Sequence, residues 1–258
     1  MVVKVEIYGL ETIPEVKPGD DVAELIVEAA ARENVGILDG DILVISQKIV
    51  SKAEGRLVKL DDIPVSSDAK KMAEKCKKDP RLVELVLREG AKVLKAARGV
   101  LISLMRNGFV AINAGIDKSN VNGGRTLSLL PKDPDESARK IRTRIREITG
   151  KNVGVIISDT SSRPFRRGVV DFAVGVSGVP LFKDYCGKPD MYGYTLKVTK
   201  VAIVDELAAA AELVKGQGSE GRPVAIVRGY SVPSSSEEGI EKMSLLLSDE
   251  EDLFSGTL

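Results

Sequence analysis

Two aspartates in polar segments are the residues of this chain best suited to chemistry. Asp117 lies in NAGIDKSNVNGG and Asp159 in SDTSSRPFRRG, and each follows an apolar segment or its turn. Serine, threonine and asparagine accompany the carboxylates, and carboxylate, hydroxyl and amide oxygens are the ligands that Mg²⁺ and Mn²⁺ prefer. Aspartate at such positions is also a common turn former or helix cap. The residue types therefore predict an oxygen-ligand metal site, with a turn as the alternative for either residue alone.

The chain contains no histidine. This absence excludes Ser-His-Asp and Cys-His nucleophiles, histidine acid–base chemistry and histidine-ligated zinc. The two cysteines, Cys76 and Cys186, have no partner spacing that implies a zinc site or a disulfide framework. Any metal ion is therefore expected to be a hard cation bound by oxygen, of the kind that accompanies nucleotide phosphates.

The segment GQGSEG, residues 216–221, fits the G-x-G-x-x-G spacing of a dinucleotide-binding turn. That turn follows a strand and opens a helix, whereas here a helix-like VDELAAAAELVK precedes the glycines and a strand-like RPVAIVRG follows them. We therefore expect a helix cap at Gly216, or a phosphate-approaching loop of a different architecture from the Rossmann fold. The only two glutamines, Gln47 and Gln217, both lie in candidate loops.

Three arginines, Arg163, Arg166 and Arg167, lie close to Asp159 in the sequence. Guanidinium groups bind phosphate or carboxylate through paired hydrogen bonds. The cluster therefore predicts a phosphate or substrate contact, with an ordinary charged surface as the alternative.

The hydrophobic pattern mixes strands and helices. In the first half it predicts a strand in VVKVEIYGLETIP, a helix in DDVAELIVEAAARENVG and a buried strand in DILVIS. Residues 66–98 are predicted to be helical in two pieces divided at KDPR. The alternating runs of VLISLMRNGFVAIN predict a hairpin across Asn107 and Gly108.

The second half of the chain is predicted to contain a helix at 135–149, strands in VGVIISD and VVDFAVGVSGV, and a capped C-terminal helix with Ser234 and Glu237 at box spacing. Hairpins mixed with helices indicate an α+β fold with mixed or antiparallel sheets, neither Rossmann nor P-loop. We expect two lobes, about 1–130 and 131–230, and a helical tail at 231–258.

The charge is balanced, with 38 basic and 38 acidic residues among 258. No net field therefore favours nucleic acid or an acidic membrane, and the arginine-rich ARKIRTRIREITGK is typical of one solvated helix face. No apolar run approaches the roughly 20 residues of a membrane span, and no signal-peptide pattern begins the chain. We expect a cytoplasmic protein without nucleic-acid or membrane partners.

The motifs GLET, ISQKIVSKAEGR, NAGIDKSNV, SDTSSRPFRRG, DYCGKPDMYGYTLKVT and VDELAAAAELVKGQGSEGRPVAIVRG occur in this order. Together they resemble the gamma-glutamyl ligases of coenzyme F420, the deazaflavin cofactor of methanogens, other archaea and actinobacteria. The resemblance covers about residues 5–250 and treats residues 1–258 as a single ligase domain. It implies that GTP hydrolysis drives the addition of L-glutamate to the deazaflavin F420-0 and then of gamma-linked glutamates, in an obligate homodimer with active sites near the subunit interface.

The resemblance also implies a site. Asp117 and Asp159 become ligands of one Mg²⁺ or Mn²⁺ ion, Thr160 and Gln217 ligands of a second, and K⁺ is a further candidate ion. The implied nucleotide contacts are Gly9, Leu10, Glu11, Thr12, Ser46, Gln47, Lys52 and Asn120, with the loop Lys215, Gly216, Gln217, Gly218, Ser219, Glu220, Gly221 and Arg222 around the phosphates. Lys48 and Ser51 are as near to the phosphates in sequence as Lys52, so the choice among the three stays open.

Two other functions stay open at this point. One is a different metal- and nucleotide-dependent amide ligase, although no G-x-x-x-x-G-K-[ST] motif of the folate polyglutamate ligases occurs. The other is a non-catalytic nucleotide-binding regulatory protein. The latter requires neither glutamate-dependent phosphate release nor both aspartates.

Overall fold

The computed structural model describes residues 3–97, 99–105, 108–121, 125–163, 165–231, 245–247 and 250–251. This part of the chain contains six α-helices together with mixed and antiparallel sheets. The predicted α+β class is therefore confirmed.

The helices and strands alternate irregularly along the chain. The helices are α1 Val22–Arg32, α2 Gln47–Ala53, α3 Ser67–Cys76, α4 Pro80–Glu89, α5 Pro134–Thr149 and α6 Ile203–Lys215. The strands are β1 Glu6–Leu10, β2 Ile42–Ser46, β3 Leu57–Lys59, β4 Gly90–Ala97, β5 Val100–Met105, β6 Val110–Ile112, β7 Thr126–Ser128, β8 Gly154–Ser162, β9 Val169–Ser177, β10 Phe182–Asp184, β11 Lys200–Ala202 and β12 Val224–Arg228.

The chain divides into two compact units, each assembled from separated segments. Unit 1 comprises Met1–Val16, Asp20–Val50 and Asp133–Leu245, and unit 2 comprises Lys17–Gly19, Ser51–Lys132 and Leu246–Leu258. The division near residue 130 that the sequence suggests stays a prediction.

A five-stranded mixed sheet organises unit 1, in the order β1-β12-β2-β8-β9. Only β2 and β8 are parallel; the other neighbours are antiparallel. The continuous apolar run Ile42–Ile45 is fully buried, as expected of a central strand covered on both faces. Helices α5 and α6 both pack against β9, and α1 packs against α5.

Side-chain caps explain where two helices of unit 1 begin. Asp21 accepts hydrogen bonds from the backbone N–H groups of Ala23 and Glu24, so it caps the helix predicted in DDVAELIVEAAARENVG. Asp133 caps α5 in the same way, through the N–H of Glu136. Helix α5 ends where Gly150 adopts the left-handed conformation that glycine favours.

Unit 2 contains a two-stranded sheet β3-β7 and a three-stranded antiparallel sheet β4-β5-β6. Its core consists of buried residues from α3, α4, β5 and β7, including Val83, Val86, Leu101 and Leu127. The predicted hairpin in VLISLMRNGFVAIN is confirmed by the antiparallel pairing of β5 with β6, which places Ile102 opposite Ile112, although Asn107 lies outside the described residues.

The prediction of two helical pieces in residues 66–98 is correct, but it is wrong for the end of the second piece. Helices α3 and α4 are separated at Pro80, which begins α4. Residues Gly90–Ala97 form strand β4 instead of helix, because Gly90 ends α4 and the following residues pair with β5. Tertiary pairing here overrides a helix-compatible composition.

The predicted C-terminal helix with Ser234 and Glu237 lies outside the described residues. Within the described ranges, every helix is too short or too polar to cross a membrane.

Candidate active site

Strands β8 and β9 bring Thr160 directly opposite Asp171. Their register shifts between Ile157 and Ser158, and beyond this irregularity Thr160 pairs with Asp171. Side chains opposite each other on neighbouring strands lie on the same face, and the Thr160 hydroxyl donates a hydrogen bond to Asp171 Oδ1 over 2.8 Å. The sheet therefore fixes the position of the Thr160 oxygen.

A buried ion pair holds Asp171, the hydrogen-bond partner of Thr160, in place. The Lys215 ammonium lies 2.6 Å from Asp171 Oδ2, and the side chains are only 2% and 5% exposed. Lys215 also donates to Ser158 Oγ over 2.6 Å and to Ser46 Oγ over 3.4 Å. Lys215, which the resemblance places around the phosphates, thus lies in the last turn of α6 and is hydrogen-bonded to the sheet.

Gln217 lies just beyond α6 and contacts the same cluster. Its Nε2 is 2.6 Å from Glu212 Oε1, 2.9 Å from Thr160 Oγ1 and 3.2 Å from Asp171 Oδ1. Its Oε1 is 3.1 Å from Thr160 Oγ1. The structure therefore brings together the two residues expected to bind the second metal ion.

Asp159 contacts a different set of residues. Its Oδ1 accepts a hydrogen bond of 3.5 Å from the amide of Gln47, which opens α2 directly after β2 and is buried. Consecutive residues of a strand point to opposite faces, so Asp159 and Thr160 present their side chains to different surroundings. The candidate loop in which Gln47 was expected is therefore the start of helix α2.

Asp117 belongs to unit 2, as do the predicted nucleotide contacts Lys52 and Asn120. The backbone N–H groups of Asp117 and Ser128 each donate to the carbonyl oxygen of the other residue. Its carboxylate accepts hydrogen bonds from the backbone N–H and the hydroxyl of Ser119, over 2.8 and 2.7 Å. The turn-forming role expected as an alternative for this aspartate is therefore present, and it leaves the metal prediction open.

The predicted nucleotide contacts at residues 9–12 lie at the end of the edge strand β1 and directly after it. Glu33, at the end of α1, accepts three hydrogen bonds through one oxygen: from the backbone N–H groups of Glu11 and Thr12 and from the Thr12 hydroxyl, at 2.8–2.9 Å. Gly9 lies so close to α6 that an added Cβ would be 3.2 Å from the carbonyl oxygen of Val214. These contacts hold the end of β1 against α6 and the segment after it against the end of α1.

The glycine loop after α6 has its own internal anion. Gly216 has φ 72° and ψ 178°, a conformation essentially limited to glycine and distinct from the left-handed cap. The Glu220 carboxylate accepts the Gly218 N–H over 2.7 Å, and the backbone N–H groups of Glu220 itself and of Gly218 lower the pKa of this carboxyl. The loop's amides therefore face a negatively charged group.

The arginine cluster lies in the connection between β8 and β9. Arg166 and Arg167 are exposed, and Arg163 donates to the carbonyl oxygen of Arg167 over 3.3 Å. The Nε of Arg163 is buried and lacks a hydrogen-bond partner. A charged atom left in that state is costly, so Arg163 differs from its two exposed neighbours in having an unsatisfied buried donor.

Three carboxylates of the site were missed by the sequence reasoning: Asp171, Glu212 and Glu33. Asp171 is a single charge within the alternating apolar run VVDFAVGVSGV, and that charge in a buried strand was an available signal. Glu212 and Glu33 look like ordinary helix-surface residues in the sequence. Their partners become apparent only in the tertiary structure.

The spacing of the oxygen atoms in the cluster can be compared with the ligand spacing of a divalent ion. Among the described residues, no group of three or more His, Cys, Asp or Glu side chains is arranged to hold a metal. Thr160 Oγ1 and Gln217 Oε1 are neutral donors 3.1 Å apart. Neighbouring ligands of octahedral Mg²⁺, each about 2.1 Å from the ion, are roughly 3.0 Å apart, so this pair fits two adjacent positions around one ion.

Comparison with known proteins identifies the class. The chain belongs to the F420-0:gamma-glutamyl ligase family, whose model matches residues 11–229. The resemblance of the six motifs is thereby confirmed.

Several relatives carry the name coenzyme F420:L-glutamate ligase. The protein of Methanopyrus kandleri is 47% identical over 249 residues, which cover 95% of this chain and 96% of the relative. The proteins of Methanothermobacter thermautotrophicus and Methanocaldococcus jannaschii are 46% and 44% identical, covering 98% and 97% of this chain and 99% and 97% of those relatives.

Proposed function

We propose that this protein is a GTP-dependent ligase that joins L-glutamate to the deazaflavin F420-0 and then adds gamma-linked glutamate, in the biosynthesis of coenzyme F420. The observation that carries the proposal is the oxygen cluster of Thr160 and Gln217 beside the glycine loop, in a chain of this ligase family. The relatives that match over nearly their whole length are named for the same ligation.

The reaction requires activation of a carboxylic acid. The carboxylate oxygen of F420-0 attacks the γ-phosphorus of GTP, which gives an acyl phosphate and GDP. The glutamate amine then attacks the acyl carbon, phosphate leaves with the C–O bonding electrons, and the amine proton passes to solvent or base. Phosphoryl transfer depends mainly on positioning and charge neutralisation, so a chain without histidine can support it.

The glycine loop supports the phosphate part of the proposal. Its amides already receive one carboxylate, that of Glu220, and a phosphate oxygen makes the same kind of contact with backbone N–H groups. Arg222, at the end of the loop, lies 3.3 Å from Glu11 in the segment after β1. The two predicted nucleotide-binding segments of unit 1 are thus adjacent, as a shared nucleotide requires.

Two divalent ions, Mg²⁺ or Mn²⁺, belong to the proposal, and K⁺ is a further candidate. When bound, such ions neutralise charge on the phosphates and on the attacking and leaving oxygens. Thr160 and Gln217 would hold one ion, and Asp117 and Asp159 the other. The different surroundings of Asp159 and Thr160 agree with their assignment to separate ions.

A homodimer is also proposed. The segment 182–202, which we call the arm, begins and ends with the paired strands β10 and β11. Met191 and Tyr192 in the arm are each 96% exposed, and Val198 is 87% exposed. Exposed apolar patches on soluble proteins commonly mark contact surfaces. Light scattering should give the mass of two chains, and a Met191→Lys/Tyr192→Lys variant should give one.

The decisive assay measures phosphate release from GTP with Mn²⁺ or Mg²⁺, with and without L-glutamate and F420-0, and weighs the product by mass spectrometry. The proposal requires release that depends on both substrates and a product heavier by one or more glutamyl units. Asp117→Asn and Asp159→Asn should each abolish turnover with the fold intact, whereas activity in both variants would refute their metal assignment. Nucleotide binding without product would support a regulatory protein or another acceptor.

A further inference from the structure

We propose that Glu212 and Asp171 are positioning residues that orient the oxygens of Gln217 and Thr160 toward the second divalent ion. This inference rests on the proposed function, because it concerns the ion that Thr160 and Gln217 would hold. Neither carboxylate belongs to the residues that the family resemblance assigns to the site.

Glu212 determines which end of the Gln217 carboxamide faces which partner. An ionised carboxylate only accepts hydrogen bonds, so the Gln217 atom 2.6 Å from Glu212 Oε1 is the NH₂ group. The other carboxylate oxygen of Glu212 is also occupied, since it accepts the backbone N–H of Asp171 over 2.9 Å. The same NH₂ group donates to Thr160 Oγ1 over 2.9 Å, and with the nitrogen fixed in this way Gln217 Oε1 lies 3.1 Å from the same hydroxyl.

Asp171 determines the direction of the Thr160 hydroxyl proton. Thr160 has one proton and two oxygen neighbours, Asp171 Oδ1 at 2.8 Å and Gln217 Oε1 at 3.1 Å. The carboxylate is the stronger and nearer acceptor, and Lys215 holds it in place through its other oxygen. The proton therefore goes to Asp171.

The consequence is a pair of oxygens with no proton between them. Thr160 Oγ1 and Gln217 Oε1 lie 3.1 Å apart. Thr160 Oγ1 accepts one N–H of Gln217 over 2.9 Å and keeps its second lone pair, and the Gln217 oxygen also keeps a lone pair. Two such oxygens repel each other in the absence of a cation, and they match adjacent ligand positions around Mg²⁺ or Mn²⁺. Glu212 and Asp171 are thus the outer partners that orient neutral ligands, a role with a large effect on metal affinity in other sites.

A purely structural role for Glu212 makes a different prediction. If Glu212 served only to accept the Asp171 N–H, Glu212→Gln would retain that bond through the amide oxygen. In the positioning role the same substitution places the new NH₂ group at position 212 against the NH₂ group of Gln217. The Gln217 carboxamide is then released or flipped. Glu206→Gln is the matched control, because Glu206 lies on the same helix and is exposed.

The experiment measures free Mn²⁺ by electron paramagnetic resonance during titration of the protein with a non-hydrolysable imido analogue of GTP present, against a protein-free blank. We expect Glu212→Gln to weaken one Mn²⁺ site by about 10–100-fold and Glu206→Gln to bind as the wild type. Glu212→Asp, which keeps two acceptor oxygens on a shorter side chain, should be intermediate. Urea denaturation of each variant reports whether the fold is retained.

A double-mutant cycle with Gln217→Ala separates action through Gln217 from a general effect. If Glu212 acts through Gln217, Glu212→Gln adds no further loss in the Gln217→Ala background. Additive losses, or wild-type affinity in both Glu212 variants, would overturn the positioning role and leave the proposed function standing. A wild-type protein that binds fewer than two Mn²⁺ ions would overturn the metal part of the proposed function and this inference with it.

Discussion

The substitution Lys215→Met tests the buried ion pair on which the cluster is built. Methionine has a similar length and no charge, so it leaves the Asp171 carboxylate buried beside an apolar side chain. Asp171 would keep its hydrogen bonds from Ser158 and Thr160 but lose its counter-charge. Since the two side chains are only 2% and 5% exposed, solvent cannot replace the ammonium.

The expected cost follows from this burial. Removing one partner of a buried ion pair typically destabilises a protein by about 3–5 kcal/mol. For a unit of this size, each kcal/mol lowers the melting temperature by roughly 2–4 °C, so a decrease of about 6–20 °C is expected. The double variant Lys215→Met/Asp171→Asn should recover most of the loss, because no unpaired charge remains.

Urea denaturation followed by circular dichroism provides the measurement. The free energy of unfolding should fall in Lys215→Met at an unchanged m-value, and it should rise again in the double variant. A Lys215→Met protein within about 0.5 kcal/mol of the wild type, the range of ordinary surface substitutions, would refute the view that this ion pair is buried and required. A double variant no better than the single one would refute the account of an unpaired charge.

Three further predictions concern other parts of unit 1. Gly216→Ala should destabilise by about 1–3 kcal/mol in urea titrations, because its backbone conformation is strained for any residue with a Cβ; equal stability would contradict this. Glu33→Ala removes the acceptor of three hydrogen bonds and should raise the KM for GTP about 5–10-fold, with Glu28→Ala on the exposed face of α1 as the control. Burial raises the pKa of Asp205, so folding favours its neutral form, and its contribution to stability is lost as the pH rises through that pKa. Asp205→Asn can still accept the Ala173 N–H and should therefore be more stable than the wild type at pH 7. The difference in stability should shrink as the pH falls toward 4.

The elements with strong local patterns were predictable from the sequence. Strand β2 is a continuous apolar run, α1 has a capping aspartate at the right spacing, and the hairpin β5–β6 follows from alternation around Gly108. Strand β4 was not predictable, because its residues are compatible with a helix and only pairing with β5 decides their conformation. The local sequence pattern was therefore sufficient for the elements whose tertiary contacts agree with it.

The candidate site shows the same limit. Thr160 and Gln217 could be selected because their motifs resemble a known family, and the structure brings them together. Asp171 is marked in the sequence only as a single charge in an apolar run, and Glu212 is not marked at all. Their roles depend on contacts across 41 residues of sequence, as between the Asp171 N–H and the Glu212 carboxylate. A carboxylate that orients another side chain has the same residue type as one on any charged helix surface.

The pairing of β1 with β12 also sets the order in which unit 1 can be completed during synthesis. Glu6 is paired with Arg228, and β12 also separates β1 from β2 in the sheet. Pairing across roughly 220 residues is the kind of contact that slows folding. Synthesis proceeds at about 5–20 residues per second, so roughly ten to forty seconds pass between the synthesis of β1 and that of its only sheet neighbour among the described strands. Until then the emerging chain keeps an unpaired edge that a chaperone or a premature neighbour can occupy.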